Sequence, residues 1–268
     1  MSFNKSLVSV EWLYANKEAE NVVILDATIN KAIDSNSTRI PNARFFDIKY
    51  KFSDTSARFP STLPSIEQFE KEAKILGINN DSFIVVYDDK GIYSSARAWW
   101  VFKTFGFNNV AVLDGGLPEW KQHGFSIEPY KKEHLAKGNF KAVFRPELMT
   151  NFIGINQFSK DSKTLILDAR SEARFKCLID EPRQGLRRGS IPNSKNLPYT
   201  ELFNGNILKS KDQLLKIFDK LVGETTTMVF SCGSGITACI LALGATQCGF
   251  NNLVVYDGSW TEYGTLIN

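Results

Sequence analysis

Short unbroken apolar runs alternate along the chain with longer stretches in which apolar residues recur at helical spacing. Runs of the first kind, too short for helices and apolar on both faces, predict buried strands of a largely parallel sheet; the second kind predicts helices that cover it. Strands are expected at Val22 to Leu25, Phe83 to Tyr87 and Val110 to Leu113 in the first half, and at Leu165 to Leu167, Met228 to Ser231 and Leu253 to Tyr256 in the second. Ser9 is placed to cap a helix from Val10 to Lys17, Ser65 one from Ile66 to Leu76 that stops at Gly77, and Ser210 one from Lys211 to Leu221. The pattern is that of an α/β layer architecture.

The same pattern occurs twice. At an offset of 143 positions, Phe83–Asp89 falls on Thr226–Cys232, Phe105–Val110 on Cys248–Leu253, and Val112–Gly116 on Val255–Ser259. At nearby offsets Ile24-Leu25-Asp26-Ala27 pairs with Ile166-Leu167-Asp168-Ala169, and Ile40-Pro41-Asn42 with Ile191-Pro192-Asn193. The 268 residues therefore read as a tandem duplication. We expect a first domain over 1–125, a linker over 126–150, where periodicity fades around Pro129 and Pro146, and a second domain over 151–268.

Charge and cysteine content narrow the class. A net charge of +3 without a long basic run does not suggest a nucleic-acid footprint. No apolar stretch has membrane-spanning length, and the early Glu11, Glu18 and Glu20 speak against a leader, so a cytoplasmic protein is expected. The four cysteines, Cys177, Cys232, Cys239 and Cys248, all lie in the second half without C-x-x-C spacing. Neither a disulfide framework nor a metal site is expected, and the chemistry needs no cofactor. Cys239 and Cys248 read as small buried hydrophobes, and Cys177 as an incidental surface thiol.

Chemistry concentrates in Val229-Phe230-Ser231-Cys232-Gly233-Ser234-Gly235-Ile236-Thr237-Ala238-Cys239, an apolar run that delivers a cysteine into a glycine-bearing loop ahead of a helical segment. Consecutive amides of such a loop can converge on the sulfur, and the helix start favours a thiolate, so Cys232 is expected as a nucleophile with a lowered pKa. A phosphatase-type loop requires an arginine six positions on, where Ala238 stands. A thiol hydrolase requires a histidine base. The two histidines, His123 and His134, fall at the end of the first half and in the expected linker, and sequence distance alone leaves their pairing open. Sulfur transfer is the remaining chemistry. The duplicate of Cys232 is Asp89, which cannot form a thiolate and reads as a solvated turn residue.

These residues resemble the tandem rhodanese-domain sulfurtransferases, and among them the 3-mercaptopyruvate sulfurtransferases. The resemblance spans nearly the whole chain and is most specific in Cys232–Cys239, in Asp257-Gly258-Ser259-Trp260-Thr261-Glu262, and in the stretch from Asp168-Ala169-Arg170 through Arg174-Phe175 to Glu181-Pro182-Arg183. It implies two rhodanese-like domains, each a mainly parallel sheet flanked by helices, with the first catalytically silent. It further implies that Arg174 and Arg183, nine residues apart, grip the carboxylate and ketone of 3-mercaptopyruvate, with Gly233, Gly235, Ile236 and Thr237 lining the substrate. From spacing alone Arg183 reads equally well as a solvated loop charge; the resemblance favours binding. Ser234 is a candidate hydroxyl donor to the substrate carbonyl, or a small residue chosen to fit a tight loop.

In the mechanism so implied, Cys232 takes sulfur from the donor as a persulfide, pyruvate leaves, and a thiol such as thioredoxin or a small thiol, or cyanide, accepts the sulfur. Thiosulfate as donor, and a non-enzymatic persulfide carrier or interaction module, are the competing readings. Thiosulfate-using relatives carry basic residues in the loop, whereas Gly233, Ser234 and Ile236 are uncharged. The chain departs from the family where a histidine usually precedes Leu-Pro: here Ser61-Thr62-Leu63-Pro64 leaves Asp47 without that partner, and Gly189-Ser190 again has serine in place of histidine. A histidine relay is not expected.

Overall fold

The apolar runs become strands buried on both faces. In the computed structural model, which describes residues 5–34, 36–131 and 134–267, the strand Val22–Asp26 pairs in parallel with Phe83–Tyr87, and Thr164–Asp168 with Thr227–Ser231. Every residue of Phe83–Tyr87 is buried, which a strand achieves only when helices cover both sheet faces.

Contacts divide the chain into two units, one comprising 1–55, 63–145 and 205–207, the other 56–62, 146–204 and 208–268. Each holds a five-stranded, all-parallel sheet. In the first the strand order is Leu7–Val8, Val110–Leu113, Phe83–Tyr87, Val22–Asp26, Arg44–Phe45. In the second it is Met149–Thr150, Leu253–Tyr256, Thr227–Ser231, Thr164–Asp168, Ser194–Asn196, the same topology repeated. The edge strands are only two or three residues long and escape a search for apolar runs.

Capping follows side-chain chemistry. Ser9 Oγ accepts from Trp12 N at the head of the helix Val10–Asn16, and Ser65 Oγ from Gln68 N at the head of Ile66–Ile75. Ser210 and Gln213 form a reciprocal capping box at the head of Lys211–Val222. The helices Ser95–Thr104 and Ala238–Cys248 follow the central strand of each sheet and are buried almost all round, so neither shows a polar face.

Much of the expected linker, in its described residues 126–131 and 134–150, is tied to the first domain. Glu128–Pro129 pairs antiparallel with Thr38–Arg39, Phe140 is fully buried with its N–H donating to Ile78 O, and Arg145 N donates to Thr104 O. A turn of 3-10 helix at Pro146–Leu148 leads directly into the edge strand Met149–Thr150. No described helix is long and apolar enough to cross a membrane.

Candidate active site

The strand Thr227–Ser231 ends at Cys232, at the carboxyl end of a central parallel strand, where α/β sheets place their ligands. The next five residues form an open loop before the helix Ala238–Cys248 begins. Gly235 takes φ +76°, a left-handed turn that suits glycine.

A second segment pins this loop from behind. Trp260 N donates to Cys232 O at 2.9 Å, and both Thr261 N and Thr261 Oγ1 donate to Gly233 O. Ser259 is fully buried, with φ +49°. Its hydroxyl accepts from Cys232 N and Gly235 N, each at 3.1 Å, and donates to Tyr256 O at 2.9 Å. A hydroxyl has one proton, so while Tyr256 O holds it, Ser259 Oγ lies 3.9 Å from Cys232 Sγ without donating to it.

This modifies the cradle expected from sequence. Two of its amides, those of Cys232 and Gly235, are drawn to Ser259. The amides of Gly233, Ser234, Ile236 and Thr237 make no hydrogen bond among the described residues and remain as donors for an anion at the loop's centre. Cys232 is only 1% exposed, but its neighbours are polar: the Ser259 hydroxyl, the loop backbone and the charge field of Arg183. Ser234 is half-buried, and its hydroxyl makes no hydrogen bond among the described residues.

Arg174 closes the short helix Glu172–Phe175 and reaches the loop: a Cβ added at Gly233 would stand 3.0 Å from Arg174 Nη2. Arg183, on an exposed loop, is crowded enough that burial lowers its pKa; the negative charge of a Cys232 thiolate opposes that, and the Arg174 charge adds to it. Arg174 thus lies against the loop of Cys232, and Arg183 is near enough to both for their charges to act on it.

Behind them runs a buried ionic chain that spacing does not reveal. Glu181 accepts from Arg170 Nη1 at 2.8 Å, from Arg174 Nε at 3.3 Å, and from Arg174 Nη2. Arg170 also donates to both carboxylate oxygens of Asp168 and to Gly189 O, with its guanidinium 4.9 Å from the Trp260 ring centroid. Burial works against the Arg170 charge, but its bonds to Asp168 and Glu181 more than offset that and raise its pKa.

Sequence reasoning quoted Arg170, Glu181 and Ser259 within family-specific stretches without giving them roles. For Ser259 alone the repeat offered a hint, since it pairs with Gly116 and glycine readily adopts a left-handed backbone; both positions have positive φ. The other thiols stay apart from the chemistry. Cys239 is fully buried and donates its S–H to Gly235 O at 3.3 Å, bracing the loop. Cys248 has its pKa pushed up to about 11, chiefly by burial, and Cys177 is exposed.

In the first domain the equivalent loop is filled by the protein itself. Asp88, the counterpart of Ser231, is fully buried, and its carboxylate accepts from the amides of Lys90, Tyr93 and Ser95 at 2.9, 2.7 and 2.8 Å. Asp89, at the cysteine's place, is exposed.

Known proteins share the duplicated fold. The rhodanese-like domain family matches residues 9–123 and again 155–265. A 3-mercaptopyruvate sulfurtransferase of Escherichia coli is 37% identical over 266 residues, covering 96% of this chain and 94% of that protein. The thiosulfate/3-mercaptopyruvate sulfurtransferase 1, mitochondrial, of Arabidopsis thaliana is 36% identical over 294 residues, covering 99% of this chain and 77% of that protein. The crystal structure of SseA from Escherichia coli superposes with a TM-score of 0.83 at 34% identity, covering 96% of this chain and 99% of that one. By its two matched domains, its fold and its near-full-length relatives, the chain belongs to the tandem rhodanese-domain sulfurtransferases, the 3-mercaptopyruvate sulfurtransferase family of enzymes.

Proposed function

We propose that this enzyme takes sulfur from 3-mercaptopyruvate through a Cys232 persulfide and passes it to a thiol or to cyanide. The observation that carries this reading is the pair of guanidinium groups, Arg174 against Gly233 and Arg183 in the field of Cys232, beside a nucleophile loop that has no basic side chain of its own. Guanidinium forks match a planar α-keto carboxylate.

The Cys232 thiolate attacks the substrate's sulfur, an S–S bond forms, and the C–S bond breaks with its electron pair going to carbon. The product enolate takes a proton and leaves as pyruvate. Developing negative charge is met by Arg174 and Arg183, with Ser234 Oγ donating to the substrate oxygen, which is electrostatic stabilisation at fixed donors. The open amides of Gly233, Ser234, Ile236 and Thr237 then hold the outer sulfur of the persulfide, in a covalent two-step cycle. Attack by a thiol such as a small thiol or a reduced thioredoxin on that outer sulfur returns Cys232 as thiolate. The four free cysteines support a reducing compartment, the cytoplasm.

The test compares pyruvate release from 3-mercaptopyruvate with sulfite release from thiosulfate, for the native chain and for Cys232→Ser. The reading requires mercaptopyruvate to be the better donor and the variant to lose transfer from both. Faster turnover of thiosulfate would reassign the donor, and an active Cys232→Ser would remove the nucleophile.

A further inference from the structure

We infer that Glu181 is the positioning residue of the substrate site: it acts through Arg174, aiming that guanidinium at the donor's carboxylate. The inference rests on the mercaptopyruvate reading of Arg174. The side chain of Glu181 is 1% exposed, that of Arg170 is fully buried, and that of Arg174 is 22% exposed. The chain of charges therefore runs from the protein interior to the mouth of the loop.

Each link is directional. Asp168 holds Arg170 through both carboxylate oxygens, Gly189 O takes a further N–H, and Trp260 stacks beside the guanidinium. Arg170 in turn holds Glu181 Oε1 at 2.8 Å. Glu181 is thus fixed before it meets Arg174, and it engages Nε and Nη2 of that guanidinium. A fork gripped along that edge keeps one orientation and turns Nη1 and the second Nη2 proton away from Glu181, toward a ligand. Without the carboxylate, Arg174 is a four-torsion side chain that must be ordered by each substrate molecule, and binding weakens by the cost of that ordering.

A merely structural tie predicts something different. Glu181 also anchors the 176–190 loop through Arg170, so its loss could act by loosening the fold. A double-mutant cycle separates the two, because a residue acting only through Arg174 has no further effect once Arg174 is gone.

The experiment measures KM and kcat for 3-mercaptopyruvate in the full chain, in Glu181→Gln, Arg174→Ala and the double variant, with the thermal midpoint of each. We expect Glu181→Gln to raise KM by about tenfold or more, the scale of a lost charged hydrogen bond, with kcat changed far less. The double variant should match Arg174→Ala alone. Glu181→Asp, which keeps the charge at shorter reach, should recover part of the affinity, and it carries the same cycle if the glutamine variant fails to fold. An unchanged KM in the Glu181 variants, or fully additive losses in the double variant, overturns the inference. If Arg174→Ala itself leaves KM unchanged, the mercaptopyruvate reading of that arginine fails instead.

Discussion

At position 259 a side chain accepts backbone strain in order to hold the nucleophile's loop. Ser259 has φ +49°, a conformation costing a non-glycine residue on the order of 1–3 kcal/mol, and its counterpart in the first domain is Gly116 at φ +53°. What the serine adds is a hydroxyl that ties the amides of Cys232 and Gly235 to Tyr256 O. Ser259→Gly relieves the strain but leaves the buried amides of Cys232 and Gly235 without their acceptor, so its thermal midpoint should fall modestly. Persulfide formation should slow by roughly 10-fold or more as two buried donors lose their acceptor. Single-turnover pyruvate release would report it, and an unaltered rate would show that the hydroxyl does not shape the cradle. For the arginines, Arg174→Ala and Arg183→Ala should each weaken mercaptopyruvate use by roughly 1.5–3 kcal/mol, seen in kcat/KM, while leaving stability nearly unchanged for the exposed Arg183.

Several helices in both domains begin where a side chain caps them, which makes their contributions separable. The Ser210 and Gln213 capping box heads the helix Lys211–Val222, and Ser210→Ala should cost about 1 kcal/mol in urea unfolding. The helix Ile66–Ile75 carries a less local device. Glu70 accepts from Lys74 Nζ at 2.6 Å and from Ala142 N at 3.1 Å, so it fastens the segment after Phe140 to the helix. These bonds, that of Lys74 foremost, lower its pKa from 4.5 to about 2. The folded form therefore keeps Glu70 ionised where the unfolded chain has protonated it. Its contribution is present above about pH 4.5 and is lost as pH falls toward 2. Glu70→Gln should flatten the loss of unfolding free energy between neutral and acid pH, measured by denaturant titration at several pH values; an unchanged acid slope would show that Glu70 does not carry it.

In the whole molecule, one fold is present twice and equipped for chemistry once. The difference goes beyond the exchange of cysteine for aspartate. Asp88 places a carboxylate on three loop amides of the first domain, while the second domain leaves four open. Restoring the thiol alone should therefore not restore the site. Asp89→Cys should still accumulate one cyanide-labile sulfur per chain when loaded with 3-mercaptopyruvate, and Asp89→Cys combined with Cys232→Ser should accumulate none. A second labile sulfur in Asp89→Cys would show that the Asp88 carboxylate does not block the loop.

The duplication, the central strands, the capped helices and the cysteine loop were all determined by the sequence by itself, because each depends on residues close together in the chain: apolar runs, serines before helices, glycines beside Cys232. Spacing alone left Arg183 open between a substrate ligand and a solvated loop charge; it was the resemblance to a known family that singled out Arg174 and Arg183. The two- and three-residue edge strands were not legible, since so short a segment has no periodicity and gains its pairing only from a neighbour such as Val110–Leu113. Only the tertiary structure decided which amides the cradle keeps. Cys232 N and Ser259 Oγ are 27 positions apart, and it is the return of the chain after the strand Leu253–Tyr256 that brings them together. The line from Asp168 through Arg170 and Glu181 to Arg174 was likewise hidden. In a sequence those are ordinary charged residues expected at the surface; only the folded chain withdraws them from solvent and brings each within ion-pair distance of the next.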